Sequence, residues 1–141
     1  MQFLIILFVL SLQTFATIDY QVLTETWCIN KTCYNLEIAN TKDQKSKGLM
    51  YRKFLSPYRG MKFNWETEEI RLMWMKNTFS SLDILWINKN NIIIDIKENL
   101  PTNNTSIIKS SKKTQFIVEL PAGSVKKNNF SQGDILTKAT F

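Results

Sequence analysis

The sequence predicts a mainly β protein of the α+β class, with one compact antiparallel or mixed, barrel-like sheet and two short helices. Strand-like segments recur at short spacing between turn residues, and no long helical pattern alternates with them, which argues against a parallel βαβ fold. A chain of 141 residues with 44% hydrophobic and 21% charged residues is long enough to build one packed core.

The first 16 residues have the pattern of a secretory signal peptide. An uncharged apolar run extends from Phe3 to Leu12, and the small residues Thr14 and Ala16 precede the expected cleavage point. The run is shorter than the about 20 apolar residues of a membrane-spanning helix. We therefore expect export to the periplasm or the cell exterior, with no membrane span after cleavage. A retained N-terminal anchor is the alternative.

The chain is basic, with 18 Lys and Arg residues, 12 Asp and Glu residues and a formal net charge of +6. This excess permits attraction to anionic surfaces of the cell envelope. A nucleic-acid partner is not expected, because no basic helix or recognised motif is present in a chain that is predicted to be exported. The absence of histidine excludes Ser–His and Cys–His nucleophilic pairs.

The two cysteines predict a local disulfide. Strand-like residues flank a turn at Asn30–Lys31, which places Cys28 opposite Cys33 at a non-hydrogen-bonded pair, where side chains approach most closely. The predicted export supplies an oxidising compartment. A zinc site and a redox pair are the alternatives. Zinc would need two further ligands from a chain without His or other Cys, and redox pairs normally have C-x-x-C spacing.

The remaining elements follow from capping and turn patterns. Thr41 and Gln44 match a capping box, which predicts a two-turn helix from Lys42 to Leu49. Asn88–Asn91 indicates a hairpin turn, because Asn tolerates positive φ, and Pro121–Ser124 opens a second short helix. Strands are predicted at residues 61–65, 71–77, 82–88, 92–96 and 115–120, a surface loop at 101–113, and a last strand after a turn at 132–134.

One apolar segment, RLMWMKNTFSSLDILW at residues 71–86, carries polar residues in its middle. If Ser80–Ser81 is a hairpin turn, Thr78 faces Asp83, and Lys76 lies diagonal to Asp83 at about 7–8 Å between backbones. We therefore expect a polar cluster at the rim of the core. The candidate ligand-binding residues are Arg52, Lys76, Asn77, Thr78 and Asp83.

This polar cluster has a structural and a functional interpretation. A buried lysine is costly unless it is paired, so the structural interpretation is an ion pair with Asp83 that fixes the hairpin register. In the functional interpretation, Lys76, Asn77 and Asp83 bind a small polar or anionic ligand. An enzyme would instead use Lys76 and Asp83 as acid–base groups with shifted pKa values.

Methionine placement raises a further alternative, the binding of a soft metal. Met50, Met61, Met73 and Met75 lie near tryptophans in the sequence, and thioether sulfur suits Cu(I). A Met-x-Met pair on a strand places both thioethers on one face. The competing interpretation is that methionine fills gaps in an aromatic core.

Seven short blocks occur in a fixed order: GLMYR at 48–52, GM at 60–61, WMKNT at 74–78, LDI at 82–84, VEL at 118–120, AG at 122–123 and GD at 133–134. In these blocks the chain resembles the bacterial and archaeal family called domain of unknown function 192, from about Tyr34 to Leu136. The resemblance implies a compact β-rich domain, often exported, with no established activity. Residues 17–33 are expected to join residues 34–141 in this single domain.

The resemblance also marks signature positions and two departures from them. Ser81 stands where the family usually has Pro. Lys62 stands where an apolar residue is usual, from which we expect its strand to lie at a sheet edge. The matching signature residues are Gly48, Met50, Arg52, Gly60, Met61, Trp74, Lys76, Asn77, Thr78, Asp83, Glu119, Gly123 and Asp134.

The favoured prediction is an exported small globular domain that acts as a non-catalytic envelope or periplasmic protein, with a binding or structural role for its polar rim site. The alternatives are an enzyme that uses Lys76 and Asp83, and a Cu(I)-binding protein. No cofactor is expected. The expected partner is a small polar or anionic ligand or a component of the envelope.

Overall fold

The computed structural model describes residues 22–140, so the predicted signal peptide at 1–16 lies outside the described residues. The described part is mostly β, as predicted. No helix within it is long and apolar enough to cross a membrane. Its elements are β1 (Thr24–Ile29), β2 (Thr32–Ala39), α1 (Lys42–Lys47), β3 (Arg59–Glu69), β4 (Leu72–Met73), β5 (Leu82–Ile87), β6 (Ile93–Leu100), β7 (Ile108–Lys109), β8 (Thr114–Pro121), α2 (Ser124–Asn128) and β9 (Leu136–Lys138).

Seven strands form one curled, half-barrel sheet in the order β6-β5-β8-β3-β2-β1-β9. Neighbouring strands are antiparallel except β2 and β3, which are parallel and are connected through α1. The short strands β4 and β7 pair with each other. The curl brings the two edges of the sheet together, where Ile92 and Ile135 form an antiparallel bridge.

A hydrophobic cluster covers each face of the sheet, because alternate residues of a strand point to opposite faces. Leu85 and Val118 belong to the cluster that includes Val125 of α2, which we call the α2 face. Ile84 and Ile117 belong to the other cluster, on the opposite face. Each fully buried aliphatic side chain stabilises the fold by roughly 1.5–3 kcal/mol relative to an exposed one.

The predicted disulfide and capping box are confirmed. Cys28 and Cys33 face each other across β1 and β2, and their sulfur atoms are bonded. The Thr41 side chain accepts from the Gln44 N–H, and the Gln44 side chain accepts from the Thr41 N–H. The helix α1 ends at Lys47 rather than at Leu49, because the next residue, Gly48, has φ = +48°.

The predicted hairpin of residues 71–77 and 82–88 is wrong. The strand β4 has two residues and pairs with β7, while β5 pairs with β6 and β8. The chain turns before Ser80, where the Thr78 N–H donates to the Met75 carbonyl oxygen at 3.1 Å and Asn77 has φ = +53°. An apolar pattern identifies buried segments, but it does not identify the partner of each strand.

The expectation that Lys62 marks an edge strand is also wrong, because β3 lies between β8 and β2. Lys62 is only 3% exposed. Its ammonium lies 4.5 Å from the Trp27 ring centroid and 4.0 Å from the Phe116 ring centroid, and it donates to the Asn64 side-chain oxygen. Burial lowers the pKa of Lys62 to about 8.

Candidate functional site

The structure separates the two charges on which the predicted polar cluster depends. Asp83 is buried on the α2 face and accepts hydrogen bonds from the backbone N–H groups of Val125 and Asn99, both at 2.9 Å. Lys76 is exposed and follows Met75, which belongs to the cluster on the opposite face. The predicted pairing of Lys76 with Asp83 is therefore wrong, and acid–base chemistry shared by the two has no geometric support.

Asn77 joins neighbouring loops rather than facing a ligand. Its side-chain nitrogen donates to the Tyr51 hydroxyl at 3.0 Å, and its carbonyl oxygen accepts from the Tyr51 N–H at 2.7 Å. Its own N–H donates to the Asn103 side chain at 3.1 Å. Thr78 is buried, and its carbonyl oxygen accepts from the Asn103 N–H at 2.8 Å. These contacts fix the loops on either side of the turn.

Arg52 forms an ion pair with Glu37 through both guanidinium Nη atoms. Nη2 lies 2.6 Å from Glu37 Oε2, and Nη1 contacts the other oxygen. This bidentate contact raises the pKa of Arg52. The charge of Arg52 is therefore largely balanced by Glu37 before any ligand arrives.

An open cleft of about 450 Å³ lies on the face opposite α2, and we call it the α1 cleft. Lysines of α1 lie at its rim, aromatic side chains form walls, and Glu119 of β8 lies at its floor. Thr78 is the predicted binding residue that reaches it. The lining residues are Lys42, Lys45, Ser46, Lys47, Gly48, Leu49, Met50, Phe63, Trp65, Leu72, Met73, Trp74, Thr78 and Glu119.

Glu119 is a buried carboxyl group, only 4% exposed, with Met61 and Ile84 as its neighbours on the adjacent strands. Within residues 22–140 its side chain has no hydrogen-bond or ion-pair partner. Burial raises its pKa to about 8, and the positive charge of Arg52 offsets only part of this effect. At neutral pH Glu119 is therefore mainly a neutral acid that can donate one hydrogen bond and accept others.

Aromatic rings flank the cleft and are themselves held by cations. The rings of Phe63 and Trp65 stack at an interplanar angle of 15°, with 6.2 Å between centroids. The Lys45 ammonium lies 4.9 Å from the Trp65 ring centroid, and the Arg71 guanidinium carbon lies 4.6 Å from it. Flat apolar walls with a few convergent polar groups are typical of small-molecule sites.

Two glycines allow the backbone to approach the cleft floor. A Cβ atom at Gly60 would lie 2.2 Å from the carbonyl oxygen of Glu119, so a larger residue would push β8 away. A Cβ atom at Gly48 would lie 3.3 Å from Phe63 Cζ and 3.9 Å from Glu119 Oε2. The loop after α1 therefore runs directly beside the carboxyl group, at a positive φ that favours glycine.

The four methionines within residues 22–140 lie on the cleft side of the sheet. Met61 and Met75 are buried in its hydrophobic cluster, Met73 packs against that cluster, and Met50 lines the cleft. Among the described residues, no group of three or more His, Cys, Asp or Glu side chains is arranged to hold a metal ion. Cu(I) binding stays a prediction, with Met50 and Met73 as the two thioethers that line the cleft.

Sequence reasoning identified Glu119 as a signature position but missed it as a site residue. One signal was available. Glu119 lies within the apolar strand 116–120, and period-two alternation places it on the same face as the core residue Ile117. An acid on a buried face needs a partner, and no partner was visible in the sequence.

The fold and the cleft define a small β-rich domain with a half-barrel sheet and a buried carboxyl group at the floor of an open cleft. The chain belongs to the family described as Uncharacterized ACR, domain of unknown function 192, whose model matches residues 25–138. The family resemblance seen in the seven blocks is thereby confirmed. No curated protein matches the chain significantly.

Two solved structures are similar to this chain. One, from Sinorhizobium meliloti 1021, is provisionally described as a transcription regulator; it is 33% identical, with a TM-score of 0.81 over 83% of this chain and 95% of that chain. A protein of unknown function from Novosphingobium aromaticivorans DSM 12444 is 23% identical, with a TM-score of 0.74 over 82% of this chain and 84% of that chain. The second similarity concerns the fold alone.

Proposed function

We propose that the protein is an exported, non-catalytic envelope domain that binds a small polar or anionic ligand in the α1 cleft. The observation that carries the proposal is Glu119, a buried carboxyl group that faces an open cleft without a partner among the described residues. Buried polar groups in native proteins are normally hydrogen-bonded. The carboxyl oxygens of Glu119 have no such partner among the described residues, but they reach the open space of the cleft, where a bound molecule can supply one.

The chemistry of the cleft narrows the ligand class. A neutral Glu119 matches a hydroxyl, amide or carboxylate group, because it can donate and accept hydrogen bonds. The exposed ring of Trp74 offers a flat surface to a ring in the cleft. Lys42 and Lys47 are exposed at the rim and attract negative charge. These features favour a small cyclic molecule with hydrogen-bonding groups at one end and an acidic group at the other.

Export is supported by the apolar N-terminal run and by the Cys28–Cys33 disulfide, since disulfides persist in oxidising compartments. Mass spectrometry of the protein recovered from an exporting host measures the mature N-terminus. We expect it at Thr17, after cleavage behind Ala16. A chain that begins at Met1 would contradict cleavage.

Ligand binding is tested by thermal unfolding in the presence of a panel of sugars, sugar acids and small ring carboxylates. We expect a panel member to raise the Tm of the wild type, because a ligand at about 100 times its Kd adds about 2.7 kcal/mol of stability. The shift should be retained in Glu98→Leu, which changes an exposed acid on β6, and should be lost in Glu119→Leu, which removes both the donor and the acceptor. Equal shifts in all three proteins would place binding outside the cleft.

A further inference from the structure

We infer that the surface around the mouth of the α1 cleft docks on a lipid bilayer that carries anionic headgroups. The inference rests on exposed side chains and charge, and it does not depend on a ligand inside the cleft. We define the mouth surface by five apolar side chains: Tyr51, Phe54, Leu72, Trp74 and Phe79.

Hydrogen bonds hold the two segments of the mouth surface side by side. The Tyr51 N–H donates to the Asn77 carbonyl oxygen at 2.7 Å, and the Tyr51 hydroxyl accepts from the Asn77 side chain at 3.0 Å. Leu72 and Trp74 line the same cleft as Met50, which precedes Tyr51. The loop after α1 and the turn before β5 therefore border one opening.

The five side chains of the mouth surface are between 42% and 73% exposed. Leu72 and Trp74 line the cleft, and Phe54 and Phe79 lie a few residues further along the two segments that Tyr51 and Asn77 connect. Single exposed apolar residues are ordinary, but a group on two adjoining segments beside a cleft marks an interaction surface. Tyr and Trp, two of its members, are the residues that concentrate at the headgroup level of membranes, because they join an apolar ring to a polar atom. The composition fits the interface of a bilayer.

The excess of positive charge around the mouth surface favours a negatively charged partner. Residues 42–54 and 71–81 contain seven Lys or Arg residues and one acid, Asp43. Two of the seven, Arg52 and Arg71, form ion pairs with Glu37 and Glu69, so the unbalanced positive charge comes from the lysines. Within residues 22–140, the exposed Lys47, Lys53 and Lys76 have no ion-pair partner. Such lysines attract anionic headgroups, whereas a second copy of the chain would carry the same charge and be repelled.

Lys76 and Trp74 combine both properties at one point of the mouth surface. The Lys76 ammonium lies 5.1 Å from the Trp74 ring centroid, and both side chains are exposed. A ring that enters the headgroup layer would therefore carry a cation with it to the level of the phosphates. Segments that lie in the plane of a membrane interface are rich in both residue types, with the aromatic ring in the apolar layer and the lysine at the charged surface.

Flotation with lipid vesicles tests the inference on the protein purified in its exported form. The probes are vesicles of phosphatidylcholine alone and vesicles that also contain phosphatidylglycerol. We expect binding to the anionic vesicles that weakens as salt is added. The double variant Lys53→Gln and Lys76→Gln should bind about 25-fold more weakly, since each lysine near the surface strengthens binding about fivefold. Its matched control is Lys126→Gln and Lys127→Gln, two exposed lysines of α2, on the other face of the sheet.

A second pair of variants tests the apolar part. Phe54→Ser with Phe79→Ser should weaken binding at least tenfold, whereas Leu23→Ser with Ile135→Ser, which removes two exposed apolar side chains elsewhere, should leave it unchanged. Far-UV circular dichroism checks that each variant is folded. Absence of vesicle binding overturns the inference, as does an equal loss in the mouth and control variants. Self-association in analytical ultracentrifugation that only the mouth variants abolish would assign the surface to a second copy and also overturn it.

Discussion

Two buried carboxyl groups on neighbouring strands, Asp83 of β5 and Glu119 of β8, have opposite surroundings. Asp83 accepts hydrogen bonds from two backbone N–H groups, one of which belongs to Val125 in the first turn of α2. Its side chain lies on the α2 face of the sheet. Glu119 points to the other face, lines an open cleft and has no partner within the described residues. Both are almost fully buried, so burial alone does not separate them.

The comparison teaches that the partners of a buried charge indicate its role better than its burial does. A carboxylate that satisfies backbone donors holds those segments in place, and its removal leaves the donors unsatisfied. A carboxyl group without partners weakens the fold, and it persists where a function requires it.

Asp83→Ala should have the largest effect. The N–H of Val125 would stay buried without an acceptor, and the N–H of the exposed Asn99 would turn to water. We expect the free energy of unfolding to fall by about 3 kcal/mol. Urea denaturation measures the change, with Glu98→Ala on the exposed part of β6 expected to stay within about 0.5 kcal/mol of the wild type. If Asp83→Ala unfolds at the same urea concentration as the wild type, the proposed structural role of Asp83, and with it the contrast to Glu119, is wrong.

Glu119→Gln should change the pH dependence of stability. Between pH 4.5 and about 8, the folded protein retains a proton on Glu119 that the unfolded chain has released. Wild-type stability is therefore highest below the unfolded pKa and falls as pH rises towards 8, by up to about 1.4 kcal/mol per pH unit. Glutamine stays neutral, so this contribution to the slope should disappear, and the variant should be the more stable protein above pH 8.

Urea denaturation at a series of pH values compares Glu119→Gln with Glu98→Gln, in which an exposed acid loses its charge. We expect Glu98→Gln to keep the wild-type slope between pH 4.5 and 8. If Glu119→Gln keeps that slope as well, Glu119 has a partner in solution, and it then belongs to the same structural class as Asp83.

Replacing both cysteines should lower the free energy of unfolding by a smaller amount and should not alter the difference between Asp83 and Glu119. Cys28 and Cys33 close a loop of only a few residues, so the chain-entropy account gives a loss of about 2 kcal/mol for Cys28→Ser with Cys33→Ser. Urea denaturation measures the loss. The pH dependence of stability assigned to Glu119 should persist in this variant, because the β1–β2 hairpin lies away from the cleft. If that pH dependence disappears, it depends on the overall stability of the fold rather than on Glu119.

Lys62→Met should have the smallest effect and extends the comparison to a buried cation. The folded pKa of about 8 lies below the ordinary lysine pKa of 10.5, so the unfolded chain retains a proton between these pH values that the folded protein releases. Wild-type stability should therefore rise as pH increases from about 8 to 10.5, and Lys62→Met should lose this rise. At neutral pH we expect a gain of about 1 kcal/mol, since methionine needs no charge partner. Lys126→Met, at an exposed position, should keep the wild-type pH profile.

Local elements were predictable from the sequence because the residues that determine them are close together in the chain. The Thr41–Gln44 capping box and the Cys28–Cys33 pair each depend on fewer than ten residues, and both are confirmed. The mainly β class followed in the same way, from the spacing of turns and strand-like segments.

Strand pairing and the site depend on contacts between distant residues, which local patterns do not encode. The hairpin proposed around Ser80–Ser81 assumed that sequential strands pair, but β8 lies beside β5 instead. The assumption placed Asp83 next to Lys76, whereas its partners come from Asn99 and Val125. Glu119 becomes a candidate only when β8, α1 and the turn before β5 are brought together.

The position of β8 also affects how the chain reaches its fold during synthesis. Residues 114–121 form this strand, yet it lies in the middle of the sheet, between β5 and β3. A ribosome-bound chain that has not yet released these residues leaves one long edge of β3 and one of β5 without hydrogen-bond partners, and open edges of this kind recruit other chains. A nascent polypeptide must therefore stay protected from aggregation until β8 inserts, and the strand that joins the two halves of the sheet brings Glu119 with it.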